Sequence, residues 1–277
     1  MPNRNVPYTE EDNSFYDGDF EGNAGDFGVY TVSGTAFELG KSTISAKSGV
    51  KSGTNAYVTG ISDNYYENNS HSMLYTPNYN LSQDGIYELS FWAKYSFQFG
   101  WDGLRVEYST DLGASWELLG TEADSWYNYT STNTTSFPNN SSYFTGDESS
   151  FTQYKIDLSN LVGNEDVAFR FVFKTNAQGI YPGVAIDDFK IRAFIGDLET
   201  KLIEFDAEFI DEQRAEVIWT TLPEYQCEGF DLEISENGRD FTFFGSTDGQ
   251  GSSIGLTNYN NRPNNLKKDL YFFRFES

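Results

Sequence analysis

Most of what this chain lacks bears on catalysis and cross-linking. It has a single cysteine, Cys227, so no internal disulfide can form, and the disulfide-rich scaffolds of small secreted domains are excluded. Cys227 therefore reads as a structural thiol. It also has a single histidine, His71, within Asn68-Asn69-Ser70-His71-Ser72, so a His-based zinc site or a Ser-His-Asp triad would rest on one exposed loop residue. Basic residues are scarce, 18 against 42 acidic ones, for a formal net charge of −24. A surface of that sign repels a phosphate backbone, which makes nucleic acid and anionic membranes poor partners. No apolar run approaches the length of a transmembrane helix, which speaks against membrane insertion, and the start at Met1-Pro2-Asn3-Arg4 lacks the apolar run expected of a signal peptide. The chain is expected to be a mature or excised piece of something longer. Leu and Ala are sparse, hardly any helix is readable, and no glycine-rich phosphate loop precedes one.

What is present favours strands and turns. Aromatic residues make up 17% of the 277 positions, set among frequent Asn, Ser, Thr and Gly. Leu104, Val106 and Tyr108 alternate with polar residues, Asp111-Leu112-Gly113 supplies a tight reversal, and Trp116, Leu118 and Leu119 resume the apolar pattern. The string Ser109-Thr110-Asp111-Leu112-Gly113-Ala114-Ser115-Trp116 resembles the Asp-box hairpin of sialidases and many secreted β proteins. There the Asp bonds turn amides and the Trp packs beneath them, so Asp111 is expected to be structural rather than catalytic.

The length accommodates two domains. Residues 1–14 read as an extended leader. From residue 15 to 197 short alternating runs (53–61, 86–95, 104–108, 116–119, 154–158, 167–174 and 183–193) predict a two-sheet sandwich. Between Glu122 and Ser150 lies a polar stretch carrying Trp126, Tyr127 and Tyr129, either a ligand-binding loop or an insertion whose rings fold back over a sheet edge. Residues 198–277 predict a smaller sandwich of immunoglobulin or fibronectin III type, with Trp219 on an early strand and Phe272, Phe273 and Phe275 on a late one. The fold class expected is all-β, a jelly-roll β-sandwich followed by a smaller β-sandwich.

Several strings together resemble the MAM-like, concanavalin-type jelly roll of bacterial surface proteins, cleaved-adhesin modules included. They are Asp19-Phe20-Glu21-Gly22, Ser52-Gly53-Thr54-Asn55-Ala56, Leu74-Tyr75-Thr76-Pro77, Leu89-Ser90-Phe91-Trp92, the Asp-box hairpin, Ile156-Asp157-Leu158-Ser159, Phe169-Arg170-Phe171-Val172-Phe173 and Ile186-Asp187-Asp188-Phe189. Trp219-Thr220-Thr221 and Phe230-Asp231-Leu232-Glu233-Ile234-Ser235 are similar to the fibronectin-type domain that often follows in proteins exported by the type IX route. The resemblance implies a secreted or surface location and a structural calcium ion where the first and last strands of the jelly roll meet. Asp19, Glu21, Asn55 and Asp188 would be its ligands, with Asp187 a further contributor; the alternative is that Asp187-Asp188 caps a turn.

The one enzyme-like string is Glu204-Phe205-Asp206-Ala207-Glu208, which would line three carboxylates on one strand face as in certain jelly-roll glycosidases. Here it opens a small domain with Phe205 and Phe209 facing the core, so a solvated face is expected. The chain thus reads as a non-catalytic adhesion or substrate-targeting module with a glycan or extracellular protein as partner. Two alternatives stay open: the accessory region of a larger secreted hydrolase, or an architectural spacer.

Overall fold

The computed structural model describes residues 14–22, 26–132, 136–195, 202–221, 224, 227–251, 253, 256–264, 266 and 271–276. The leader expected over residues 1–14 falls outside these except for Ser14. The chain divides into two compact units, Met1–Ala193 and Phe194–Ser277.

In the first unit the strands run β1 (Ser14–Gly18), β2 (Gly28–Ser33), β3 (Phe37–Gly40), β4 (Ala56–Thr59), β5 (His71–Tyr79), β6 (Gly85–Ser96), β7 (Gly103–Ser109), β8 (Glu117–Leu118), β9 (Tyr129–Thr130), β10 (Ser142–Tyr143), β11 (Asp147–Asp157), β12 (Val167–Lys174) and β13 (Gly183–Ile195). One antiparallel sheet has the order β11-β6-β13-β4-β3, with β1 also on β13; the other has the order β2-β5-β12-β7-β8. Period-2 alternation decides which residues face inward. Phe169, Phe171 and Phe173 of β12 and Leu89, Phe91 and Ala93 of β6 are buried. The sheets meet ring on ring, Phe91 edge-on to Phe171 with centroids 4.9 Å apart and Phe97 stacked on Phe173 at 6.1 Å. Each such ring contributes about 1.5–3 kcal/mol by burial, and an edge-on pair about 0.5–1.5 kcal/mol more. A core built of rings explains how the chain does without much Leu and Ala.

Strand β5 interrupts that regularity because Pro77 cannot donate to the ladder. The register of β5 against β12 slips between Asn78↔Ala168 and Tyr75↔Arg170. The Phe169 amide donates to the Thr76 hydroxyl instead, at 2.9 Å. The same hydroxyl donates to the Pro77 carbonyl at 2.8 Å, bridging the slipped ladder.

The stretch from Glu122 to Ser150 corrects one expectation. Its rings are core, not ligand contacts: Trp126 is 2% and Tyr127 4% exposed. Trp126 packs edge-on against Phe91 and Phe144, at 5.6 and 5.8 Å. The Tyr127 hydroxyl accepts from the Val106 amide at 2.9 Å and donates to the Val106 carbonyl at 3.1 Å, standing in for a neighbouring strand on β7. Tyr129 is half-buried between Phe99 and Tyr143. Apolar ring area and the Val106 backbone, just beyond the two pairs β7 makes with β8, pull Trp126 and Tyr127 back over the sandwich, the second of the two alternatives the sequence left open.

The Asp-box turn forms as its residues require. Asp111 accepts from the Ser115 amide (2.8 Å), the Ser115 hydroxyl (2.7 Å) and the Ser109 hydroxyl (2.7 Å). These bonds, the Ser115 hydroxyl foremost, hold its carboxyl down at about 2. Trp116 donates to the Gly113 carbonyl at 3.1 Å, and its ring lies 4.3 Å from the Arg170 guanidinium. Asp111 is spent on the turn.

The second unit holds β14 (Leu202–Phe209), β15 (Ala215–Thr221), β16 (Cys227–Ser235), β17 (Thr242–Gly251), β18 (Thr257–Asn261) and β19 (Phe272–Glu276), in sheets ordered β14-β15-β18 and β17-β16-β19. Its core gathers Val217, Trp219, Phe230, Leu232 and Tyr259 around the buried, free Cys227. Trp219 stacks on Tyr259 with centroids 5.3 Å apart.

Candidate functional site

Two features of the first unit combine polar chemistry with geometry. The first is a clasp of carboxylates on the 51–55 loop. Gly18 of β1 pairs with Phe189 of β13, which sets Asp19 beside Asp188 in the register. Two residues there lie in the left-handed region, Phe20 just past β1 at φ 62° and Asp188 within β13 at φ 48°, each costing on the order of 1–3 kcal/mol. Asp188 accepts from the Ser52 hydroxyl at 2.6 Å. Asp187, fully buried, accepts from the Lys51, Ser52 and Asp188 amides at 2.6, 3.3 and 2.8 Å. Burial pushes the Asp187 carboxyl up to about 6 against the pull of those amides, with Asp188 raising it further.

Glu21 closes the clasp from the other side. One oxygen accepts from the Thr54 and Asn55 amides (2.8 and 2.7 Å), the other from the Thr54 hydroxyl and the Asn55 side-chain amide (2.7 and 3.1 Å). These bonds, the Thr54 hydroxyl first, hold its carboxyl below the usual range. Asp19 accepts from the Glu21 amide at 3.0 Å. Of the expected ligands, Glu21 and Asp188 thus reach the loop that carries Asn55, while Asp19 is tied to it only through the Glu21 amide. Among the described residues, however, no group of three or more His, Cys, Asp or Glu side chains is arranged to hold a metal ion. Glu21 has all four lone-pair directions filled by donors, so as arranged it ties the loop rather than presenting free oxygens.

The second feature is the end of the sandwich formed by three loops, 60–70, 97–102 and 175–182. The fully buried Asp102 pins them together. It accepts from the Tyr66 hydroxyl at 2.7 Å, the Asn176 amide at 2.6 Å and the Ser136 hydroxyl at 3.2 Å. Burial raises its carboxyl while the three donors, led by Tyr66, lower it. The Tyr66 amide adds a bond to the Tyr181 carbonyl at 2.9 Å. On this scaffold several rings and one aliphatic side chain face water: Tyr65 is 55%, Phe99 63%, Trp101 47%, Ile180 49% and Tyr181 36% exposed. Gly100, at φ 74°, makes the reversal that sends Phe99 and Trp101 outward. The sequence does hold a signal for these rings, a glycine between two aromatics in a short connection.

Two other sequence candidates sit elsewhere. His71 is not in a loop: it opens β5, half-buried, paired with Lys174 of β12. Burial, then Lys174 and Arg170, push its imidazole below the ordinary value, which keeps it neutral at neutral pH. Glu204, Asp206 and Glu208 lie exposed on β14, an edge strand. Glu204 borders a cleft of about 270 Å³ with Ile218, Asn258 and Asn260. Phe209 packs on the core, whereas Phe205, expected to do the same, is 37% exposed.

No family model and no curated protein matches the chain. Among solved structures it is similar to the glycoside hydrolase domain of Endo-D from Streptococcus pneumoniae R6, at 12% identity and TM-score 0.36 over 90% of this chain and 37% of that one. It is also similar to the K1 cleaved adhesin domain of Lys-gingipain from Porphyromonas gingivalis W83, at 15% identity and TM-score 0.37 over 65% of this chain and 98% of that one. A third is the beta-1,2-glucanase from Parabacteroides distasonis, at 9% identity and TM-score 0.33 over 90% of this chain and 34% of that one. The chain spans little more than a third of the two glycosidase chains. At these scores the likeness carries no inference about ligand or activity.

Proposed function

We propose that the chain is a non-catalytic binding module of a secreted or cell-surface protein, serving adhesion or substrate targeting with a glycan or an extracellular protein as ligand. The observation that carries this reading is the set of exposed rings, Phe99 and Trp101 foremost, on loops that the buried Asp102 makes rigid. Large exposed rings on a fixed scaffold mark interaction sites, because they bring apolar area without a large ordering cost. The acidic surface and the Asp-box turn support an extracellular setting; export by the type IX route rests on the resemblance alone. The test is binding of the full chain to arrays of glycans and extracellular proteins. Phe99→Ala with Trp101→Ala should weaken binding about tenfold or more at unchanged melting temperature. Unchanged binding with lowered melting would make the rings scaffold.

Structural calcium belongs to the same proposal. Its support is that Glu21 and Asp188 reach the loop that carries Asn55, beside the buried Asp187, with Asp19 next to Glu21. A hard cation takes about six to eight oxygens, so Glu21 would have to exchange its Thr54 and Asn55 donors for the metal.

A further inference from the structure

We propose that the cleft of about 410 Å³ at the bulged edge of the first sheet binds a neutral pyranose unit of a glycan. This deepens the binding-module reading and rests on it.

The cleft is made by a break in the ladder. On edge strand β11, Asp147 and Glu148 pair with Ser96 and Tyr95 of β6, but the next pair is Thr152 with Ala93. Residues 149–151 therefore stand opposite Lys94 alone. A bulge of this kind on an edge strand re-aims side chains, and here Asp147 and Ser149 line the cleft. The opposite wall is the 3-10 turn Ser45–Lys47. Lys94 donates to the Ser45 carbonyl at 2.8 Å, and the buried Lys47 is fixed to the Thr59 and Gly60 carbonyls at 2.6 and 2.7 Å. Asn64, Tyr65 and Pro182 line it as well.

The chemistry of the walls selects the ligand. A pyranose has an apolar face of C–H bonds and a rim of hydroxyls. The Tyr65 ring, 55% exposed, offers a surface for the first. Asp147, whose Oδ1 accepts from the Ser96 hydroxyl at 2.5 Å, has Oδ2 to accept from the second, while the Asn64 amide and Lys94 can donate to it. The volume falls within the range of about 300–1,000 Å³ of small-ligand sites. One cation and one carboxylate in the lining leave it without net charge, and the −24 of the whole chain disfavours acidic sugars. A peptide strand is disfavoured as well, because the bulge breaks the row of edge amides and carbonyls that strand addition needs.

The experiment presents the full chain to an array of neutral oligosaccharides, acidic oligosaccharides and extracellular proteins. Variants Tyr65→Ala and Asp147→Asn are compared with Tyr30→Ala, an exposed ring on β2, as control. The expected result is binding to neutral glycans, weakened about tenfold or more by either cleft variant, unaffected by the control and with melting temperatures unchanged. Neutral-glycan binding that survives both cleft variants would overturn the proposal and leave the binding-module reading standing. So would binding to acidic glycans or proteins only. No binding to any arrayed ligand would overturn both.

Discussion

Lys47 gives the sharpest physical test of the first unit. Its ammonium is fully buried and held by two carbonyl oxygens. Desolvation pushes it from 10.5 down to about 8, against the pull of Asp63 and Glu38. Because the folded value lies below the unfolded one, the unfolded chain binds the proton more tightly between pH 8 and 10.5, and stability rises with pH through that window. At pH 7 both states are protonated and the full cost of burying the charge stands. The difference of 10.5 − 8 = 2.5 corresponds to about 3 kcal/mol. Lys47 alone would give about 2 kcal/mol by pH 9.5. Unfolded tyrosines ionise near pH 10, however, and burial pushes several of this unit, Tyr66, Tyr87 and Tyr154 among them, upward in the folded state. A net gain of about 1 kcal/mol should therefore be visible there. The assay is urea unfolding from pH 7 to 9.5, followed by tryptophan fluorescence in a Trp219→Phe background. Every remaining tryptophan then belongs to the first unit. Lys47→Met loses two hydrogen bonds and one buried charge, so its stability at pH 7 has no decisive sign. It should lack the Lys47 share of the rise, leaving only that of Lys174, whose ammonium is also pushed down by burial. A flat profile for the unsubstituted lysine, or the same rise in Lys47→Met, refutes the reasoning.

Calcium a hundredfold above its dissociation constant should stabilise the first unit by about 2.7 kcal/mol, roughly 5–10 °C in melting temperature. Chelator should reverse the gain and Asp188→Asn should remove it; identical melting in calcium and in chelator refutes it. Trp126→Ala, which empties a site 2% exposed, should cost about 3–5 kcal/mol in urea unfolding. Ligand affinity of the folded fraction should stay unchanged, and weakened affinity at full stability would return this ring to the binding surface. Glu204→Gln with Glu208→Gln should change neither stability nor any turnover on polysaccharides, since both side chains are exposed on an edge strand. Hydrolysis lost with either change would make the second unit catalytic.

Strands whose side chains alternate cleanly were legible. Val167–Lys174 stands as β12 with its predicted bounds, because Phe169, Phe171 and Phe173 all meet the facing sheet. Strand β5 was hidden by Pro77, where the ladder slips and the Thr76 hydroxyl bridges it, accepting from the Phe169 amide and donating to the Pro77 carbonyl, a local repair that no periodicity shows. Strand β2 was hidden for the opposite reason: as a sheet edge it leaves Val29, Tyr30 and Val32 largely in water, so no apolar face is selected. The carboxylates of the clasp were legible as a group because they flank strand ends that must meet. What the sequence could not show was that loop amides and hydroxyls already fill the oxygens of Glu21.

The two aromatic groups of the first unit show why exposure is hard to read from composition. Trp126 and Tyr127 sit in a long polar stretch that looks solvated, yet β7 offers the Val106 amide beyond its pairs with β8 and the core offers Phe91 and Phe144. The rings go where both needs are met at once. Phe99 and Trp101 sit in a short connection that looks structural, yet the place inward of them is already taken. Tyr66, Phe97 and Phe173 fill the core beneath, and Asp102 consumes the hydrogen bonds of the surrounding loops. Exposure here is set by competition for the interior, and Phe99 and Trp101 are left outside on loops that Asp102 ties together. That combination favours binding. A ring on a mobile loop would lose ordering entropy on contact, whereas the Asp102 network has incurred that cost in folding, leaving Phe99 and Trp101 more of their buried area to spend on the partner.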